Sequence, residues 1–213
     1  MVAVNGKLWA VKLVHRATRA SILLVVAAGA AHLSAQDGVS KPDASRFQAK
    51  LAQIEKIAAT PRKGTAARTT QVTDTEVNSY LRFLAGPQVP VGIVEPMLHA
   101  AGNGRVSGRA IVDLDAVRTQ KKRAWTDPLG YLAGRLPVTA TGTLTTKEGV
   151  GRFVLESAEI SGVTIPKSLL QELLSYYSRT PETPAGINMD EPFQLPAAIR
   201  EIRIGMGTAA IVQ

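Results

Sequence analysis

Residues Val72–Leu84 read VTDTEVNSYLRFL, and the fold turns on how this stretch is read. Thr73 or Asp74 can serve as a helix N-cap, with Glu76 or Val77 in the first turn. Thr73-x-x-Glu76 has the spacing of a capping box, in which a hydroxyl and a carboxylate satisfy the first free N–H groups reciprocally. Val77, Tyr80, Leu81 and Leu84 recur at i, i+3, i+4 and i+7, which gives the helix one apolar face. Gly86-Pro87 ends it. Almost everything that follows patterns as strand, so this helix is expected to supply half of the core on which the strands close.

Downstream, Pro87–Gly92 reads as a Pro/Gly loop. Ile93–Ala101 and Arg105–Asp115 read as strands joined at Gly102-Asn103-Gly104, where Asn-Gly accepts the positive φ of a tight hairpin. In the second strand Val106, Gly108, Ala110, Val112 and Leu114 share one face, opposite Arg105, Ser107, Arg109, Asp113 and Asp115. That is the pattern of a half-buried antiparallel strand. Val138–Thr146 and Val150–Ile160 form a second hairpin around Lys147-Glu148-Gly149. Phe153 and Leu155 are out of phase with Val154, so the buried face of that return strand stays open. Ile165–Ser178 is a second helix, its wide apolar face made by Leu169, Leu170, Leu173, Leu174 and Tyr177. A proline-rich loop, Arg179–Pro196, leads to a last hairpin, Ala198–Ile204 and Thr208–Val212, around Gly205-Met206-Gly207.

The order helix, Pro-rich loop, strand, glycine turn, strand over Tyr80–Leu114 recurs over Leu169–Val212. The fold class is therefore α+β: a curved antiparallel sheet of about six strands, in three hairpins, packed on two amphipathic helices, plus an N-terminal helix.

Upstream lies that N-terminal helix, Asp43–Ala59, with Phe47, Leu51, Ile54 and Ala58 as its stripe. The basic linker Thr60–Thr70 separates it from the rest. The first helix is expected to be an outlying element, packed on the domain or loosely tethered. Residues 1–35 look like a secretory signal peptide. Lys7, Lys12, Arg16 and Arg19 form a basic region without acids, and Ser21–Ala31 is an apolar run of 11 residues ahead of Leu33-Ser34-Ala35. That run is short of the roughly 20 residues a membrane-spanning helix needs. The division is then 1–35 signal peptide, 36–70 helix and linker, 71–213 one α+β domain. The chain is predicted to be exported to the periplasm or cell envelope and soluble after cleavage.

The full chain carries 25 Lys+Arg and 17 Asp+Glu, net +8. The leader holds four of the bases and no acid, so the processed protein has 21 against 17, or +4. Nucleic acid is not an expected partner at that charge. The chain has no cysteine, which excludes thiol nucleophiles, iron–sulfur clusters and thiolate zinc sites.

No catalytic constellation is expected. Gly205-Met206-Gly207-Thr208-Ala209-Ala210 mimics a dinucleotide fingerprint, but no helix follows to hold a pyrophosphate, and a hairpin turn is the simpler reading. Asp113 and Asp115 would share one strand face, where solvation is the ordinary fate of such a pair. Past residue 35 the chain keeps one histidine, His99, too few for a histidine-based metal site and read as a surface or interface residue. Lys167 and Ser168 are adjacent on a helix and point about 100° apart, which does not suit proton transfer. The basic cluster Arg118, Lys121, Lys122 and Arg123 with Trp125 suits an anionic membrane surface, or is a solvated loop. A short helix is expected over Asp127–Ala133.

The helix TDTEVNSYL (73–81), the strand GRVSGRAIVDL (104–114) and the ending PFQLPAAIREIRIGMGTAAI (192–211) resemble exported bacterial proteins of the tubular lipid-binding kind, near the LmeA-type periplasmic phospholipid-binding proteins. The resemblance covers about residues 70–213. It implies a strongly curved antiparallel sheet wrapped round helices, with an apolar interior that holds lipid chains. It carries no signature residues. The candidates for lining such a space are Val77, Leu81, Leu84, Leu170, Leu173 and Leu174. The implied partner is a phospholipid or other acyl-chain ligand, with no cofactor and no metal. The same leucines equally suit a plain core, in which case the chain is a structural or protein-interaction module.

Overall fold

The computed structural model describes residues 38–60, 67–120, 133–179 and 183–213. The expected signal peptide, most of the basic linker and the short helix expected at 127–133 (Ala133 apart) lie outside these residues.

The first helix, α1 (Lys41–Ala59), starts at Ser40, whose Oγ accepts from the Asp43 amide at 3.2 Å, with Pro42 in the first turn. It is docked. Phe47 and Leu51 pack on the buried cluster of Tyr80, Leu81 and Ala85, and the Phe47 and Tyr80 rings meet edge to face at 5.3 Å. Lys50 Nζ lies 2.7 Å from both carboxylate oxygens of the buried Glu76.

The decisive stretch forms α2 (Asp74–Phe83), with Thr73 as N-cap. Both halves of the capping box are made: Thr73 Oγ1 accepts from the Glu76 amide at 3.2 Å, and Glu76 Oε2 accepts from the Thr73 amide at 3.0 Å. The residues just before it, Thr69–Thr73, form a strand, β1, inside what reads as linker and cap. In TTQVT only Val72 is strongly apolar. The strand exists because a distant partner pairs with it.

The main sheet is antiparallel and six-stranded. β2 (Ile93–Gly102), β3 (Arg105–Asp113), β4 (Arg135–Lys147), β5 (Val150–Ile160) and β6 (Val163–Thr164) lie in that order, and the short β7 (Phe193–Gln194) pairs with the far end of β5. The first two hairpins turn where expected, with positive φ at Asn103 (53°) and Gly104 (79°), and at Glu148 (52°) and Gly149 (83°).

The third hairpin, β8 (Glu201–Gly205) and β9 (Thr208–Val212), belongs to a second sheet, ordered β1-β9-β8. The six strands of the main sheet are thus two hairpins plus β6 and β7. The sheets are stitched together at one corner. The Gly207 amide donates to the Ala100 carbonyl at 2.7 Å, and Thr146 Oγ1 bonds both the amide (2.7 Å) and the carbonyl (3.0 Å) of Ile202.

Two local features depart from the strand pattern. β3 ends at Asp113, and the chain turns into a helix, α3 (Leu114–Gln120). Asp113 Oδ1 accepts from the Ala116 amide at 3.0 Å, and Leu114 is buried under the turn. Asp113 and Asp115 therefore do not share a strand face. In β5 the pairing runs Thr141–Ser157 and then Gly142–Leu155, which leaves Glu156 unmatched. This bulge shifts the alternation by one residue, so Phe153 and Ala158 are both buried although their spacing is odd. The Phe153 ring crosses Gly142, where a Cβ would lie 2.3 Å from it. Phe153 packs with Val106 and Leu144, backed by Leu155, Phe193 and Ile204.

The second leucine-rich helix is α4 (Lys167–Tyr177), which packs on β5. Its polar side clasps the loop after it. Gln171 Nε2 donates to the Ile187 carbonyl at 3.0 Å, and Gln171 Oε1 accepts from the Met189 amide at 2.8 Å.

Candidate functional site

β2 is an edge strand, and α2 covers part of that edge with side chains. Asn78 uses both ends of its amide: Nδ2 donates to the Leu98 carbonyl at 2.8 Å, and Oδ1 accepts from the Leu98 amide at 2.7 Å. One turn earlier, the Asp74 carboxylate accepts from the Ala100 amide at 3.1 Å and meets His99 Nδ1 at 2.7 Å. The match is geometric. Four helical residues advance about 6.0 Å and two strand residues about 6.6 Å, so positions 74 and 78 fall opposite 100 and 98. His99 is thus a half-exposed surface residue paired with a helix cap-region acid.

The next rung of this ladder would set residue 82 against residue 96, and it is not made. Residue 96 is proline, which has no amide to offer. Glu95 before it has a φ of +50°, and the pairing with β3 jumps from Val94–Ile111 to Met97–Arg109. Here the space between helix and strand opens into a groove of about 510 Å³. Leu81 lines it from α2. Val89, Pro90 and Val91 line it from the connecting segment, and Ile93, Val94, Pro96 and Met97 from β2. Its polar lining includes Asn78, Arg82 and Glu95. Arg82 and Glu95 are exposed. The Arg82 guanidinium stands 5.9 Å from the centre of the Phe83 ring. Met97 is held from the far side, its sulfur accepting from Arg109 Nη2 at 3.0 Å.

Of the six residues anticipated as lining, Leu81 is in this groove and is also part of the α1–α2 core. Val77 is half-buried and packs against the Tyr80, Leu81 and Ala85 cluster. Leu84 is exposed. Leu173 is buried, and Leu170 and Leu174 are half-buried, on α4 against β5. Among the described residues the groove draws on one leucine-rich helix, α2. Of the anticipated membrane-facing residues, Arg118 lies on the backbone of α3, and Lys121, Lys122, Arg123 and Trp125 lie outside the described residues. The groove's main lining, VPVGIVEPM (89–97), reads in sequence as a loop running into a strand. Its signal is an apolar run interrupted by prolines at 90 and 96 just after a helix end.

The other polar candidates are structural. The Asp113 carboxylate is held below the usual carboxylate range by the Ala116 amide first and then by Arg135, whose Nε lies 3.0 Å from Oδ2. Lys167 pairs with Asp190. The Gly205–Gly207 turn closes the β8–β9 hairpin. Among the described residues no helix is long and apolar enough to cross a membrane.

No protein-family model matches the chain, and no curated protein sequence does. A crystal structure of a lipopolysaccharide-binding protein aligns with 68% of this chain at 17% identity and a TM-score of 0.22, a likeness too slight to carry an argument. The chain spans about 40% of the length of that structure's own chain.

Proposed function

We propose that the chain is an exported, non-catalytic cell-envelope protein that binds an apolar ligand of lipid type in the groove between α2 and the β2 edge. The groove itself carries this reading. Its walls are mostly aliphatic with few polar groups, and its volume falls within the roughly 300–1,000 Å³ of small-ligand sites. Val91 in its lining is 52% exposed, and the apolar surface continues outside it at Phe83, 37% exposed. Each methylene moved from water into such a groove contributes about 0.8 kcal/mol. The basic residues and apolar run of residues 1–35 support export.

A second reading has its own observation. Tyr80 and Leu81 are buried against Phe47 and Leu51 of α1, as in a protein-interaction module with an ordinary core. Native mass spectrometry of the protein purified from its own envelope separates the two. Lipid should accompany the wild type and be lost from Val94→Trp, which fills the groove. A clean unliganded mass, with no lipid in the organic extract, favours the interaction module instead.

A further inference from the structure

The missing third rung of the α2–β2 ladder is where the groove acquires charge. At the first two rungs an acid and an amide on the helix meet amides of the strand edge. At the third the helix presents Arg82, which has only donors, and the strand presents Pro96. The Arg82 guanidinium is therefore left over from the ladder. It stands over the Phe83 ring, and among the described residues no ion pair joins it to Glu95, which lines the same groove.

Resting on the groove reading above, we propose that Arg82 holds the anionic end of the ligand, and that this ligand is a single-chain, singly charged amphiphile: a long-chain carboxylate. A guanidinium fork can give a carboxylate, as it can a phosphate, two parallel hydrogen bonds, and two observations choose between them. Glu95 at the same groove repels further negative charge, which disfavours a doubly charged phosphate monoester relative to a carboxylate. The 510 Å³ volume, bounded by Leu81, Val94 and Met97, suits one acyl chain with its polar end rather than a two-chain phospholipid.

Isothermal titration of the full protein with decanoate, decanol and decyl phosphate tests this, each ligand below its micellar concentration. The expected result is that wild type prefers decanoate to both others. Arg82→Gln should weaken decanoate about tenfold and leave decanol unchanged, which also shows that the variant is folded. Glu95→Gln should narrow the gap between decyl phosphate and decanoate. Unchanged decanoate binding by Arg82→Gln, or an equal loss of decanoate and decanol, would overturn the role of Arg82. Decyl phosphate binding wild type more tightly than decanoate would overturn the carboxylate assignment. If wild type binds none of the three, the groove reading itself falls.

Discussion

Asp113 is the residue that ends β3 and begins α3, and it does both with one carboxylate. Oδ1 takes the Ala116 amide and Oδ2 takes Arg135. Both contacts favour the ionised form, so its folded pKa lies below the ordinary value of 3.8. A depressed carboxylate contributes stability that is present above its unfolded pKa and lost as pH falls through its folded one. The start of α3 should therefore hold at neutral pH and loosen below about 3.8. In an NMR pH titration the Ala116 amide should follow a single midpoint lying below that value; a midpoint at or above it contradicts the contact. Sequence alone placed Asp113 on a strand face because alternation continues through Leu114. The alternation holds until the carboxylate finds a backbone donor three residues on, and single-residue chemistry then overrides the period. Thr73 is the opposite case. Its capping box is wholly local, so the spacing of Thr73 and Glu76 was enough to read it.

The elements divide the same way. Helices and hairpins set by their own residues were legible: α2, α4, and the turns at Asn103-Gly104 and Glu148-Gly149. Elements made by distant partners were not. β1 has little pattern of its own, the bulge at Glu156 exists only against β4, and the docking of α1 depends on Tyr80, Leu81 and Glu76 of another helix. The groove was hidden for a related reason. It arises between a helix and an edge strand whose contact, through Asp74 and Asn78, is invisible until the two are side by side. That contact can be weighed. Asn78→Ala leaves the amide and carbonyl of Leu98 without their partner, and losing such buried bonds costs about 1–3 kcal/mol. The exposed Leu84→Ala should change stability by no more than about 0.5 kcal/mol. Guanidinium unfolding should show the midpoint of the first variant clearly lowered and that of the second hardly moved. Equal midpoints would mean that α2 is held to β2 by its apolar face alone.

On the scale of the molecule, the second sheet joins the strand just before α2 to the last described residues. Thr69 pairs with Val212, and Arg68 and Gln213 exchange backbone hydrogen bonds at 3.0 and 2.9 Å. Pairing so distant in sequence closes late and slowly, because the loop entropy must be met before the contact forms. Deleting Thr208–Gln213 removes the central strand of this sheet and strips β1 of its partner. The truncated chain should lose its single cooperative melting transition in calorimetry; one sharp transition at an unchanged temperature would show that the main sheet folds without the second. The ladder between α2 and β2 has a different consequence, one for how the chain can diverge. Its anchoring rungs end at Asn78, while Arg82 lies one turn beyond. One residue inserted between them would swing every following side chain by about 100° and take the buried Ala85 out of the core along with Arg82. Position 82 itself is exposed and bears no rung, so a substitution there replaces the charge presented to the groove while both rungs and the core stay in place, and lineages of this fold can change what the groove accepts by that single exchange.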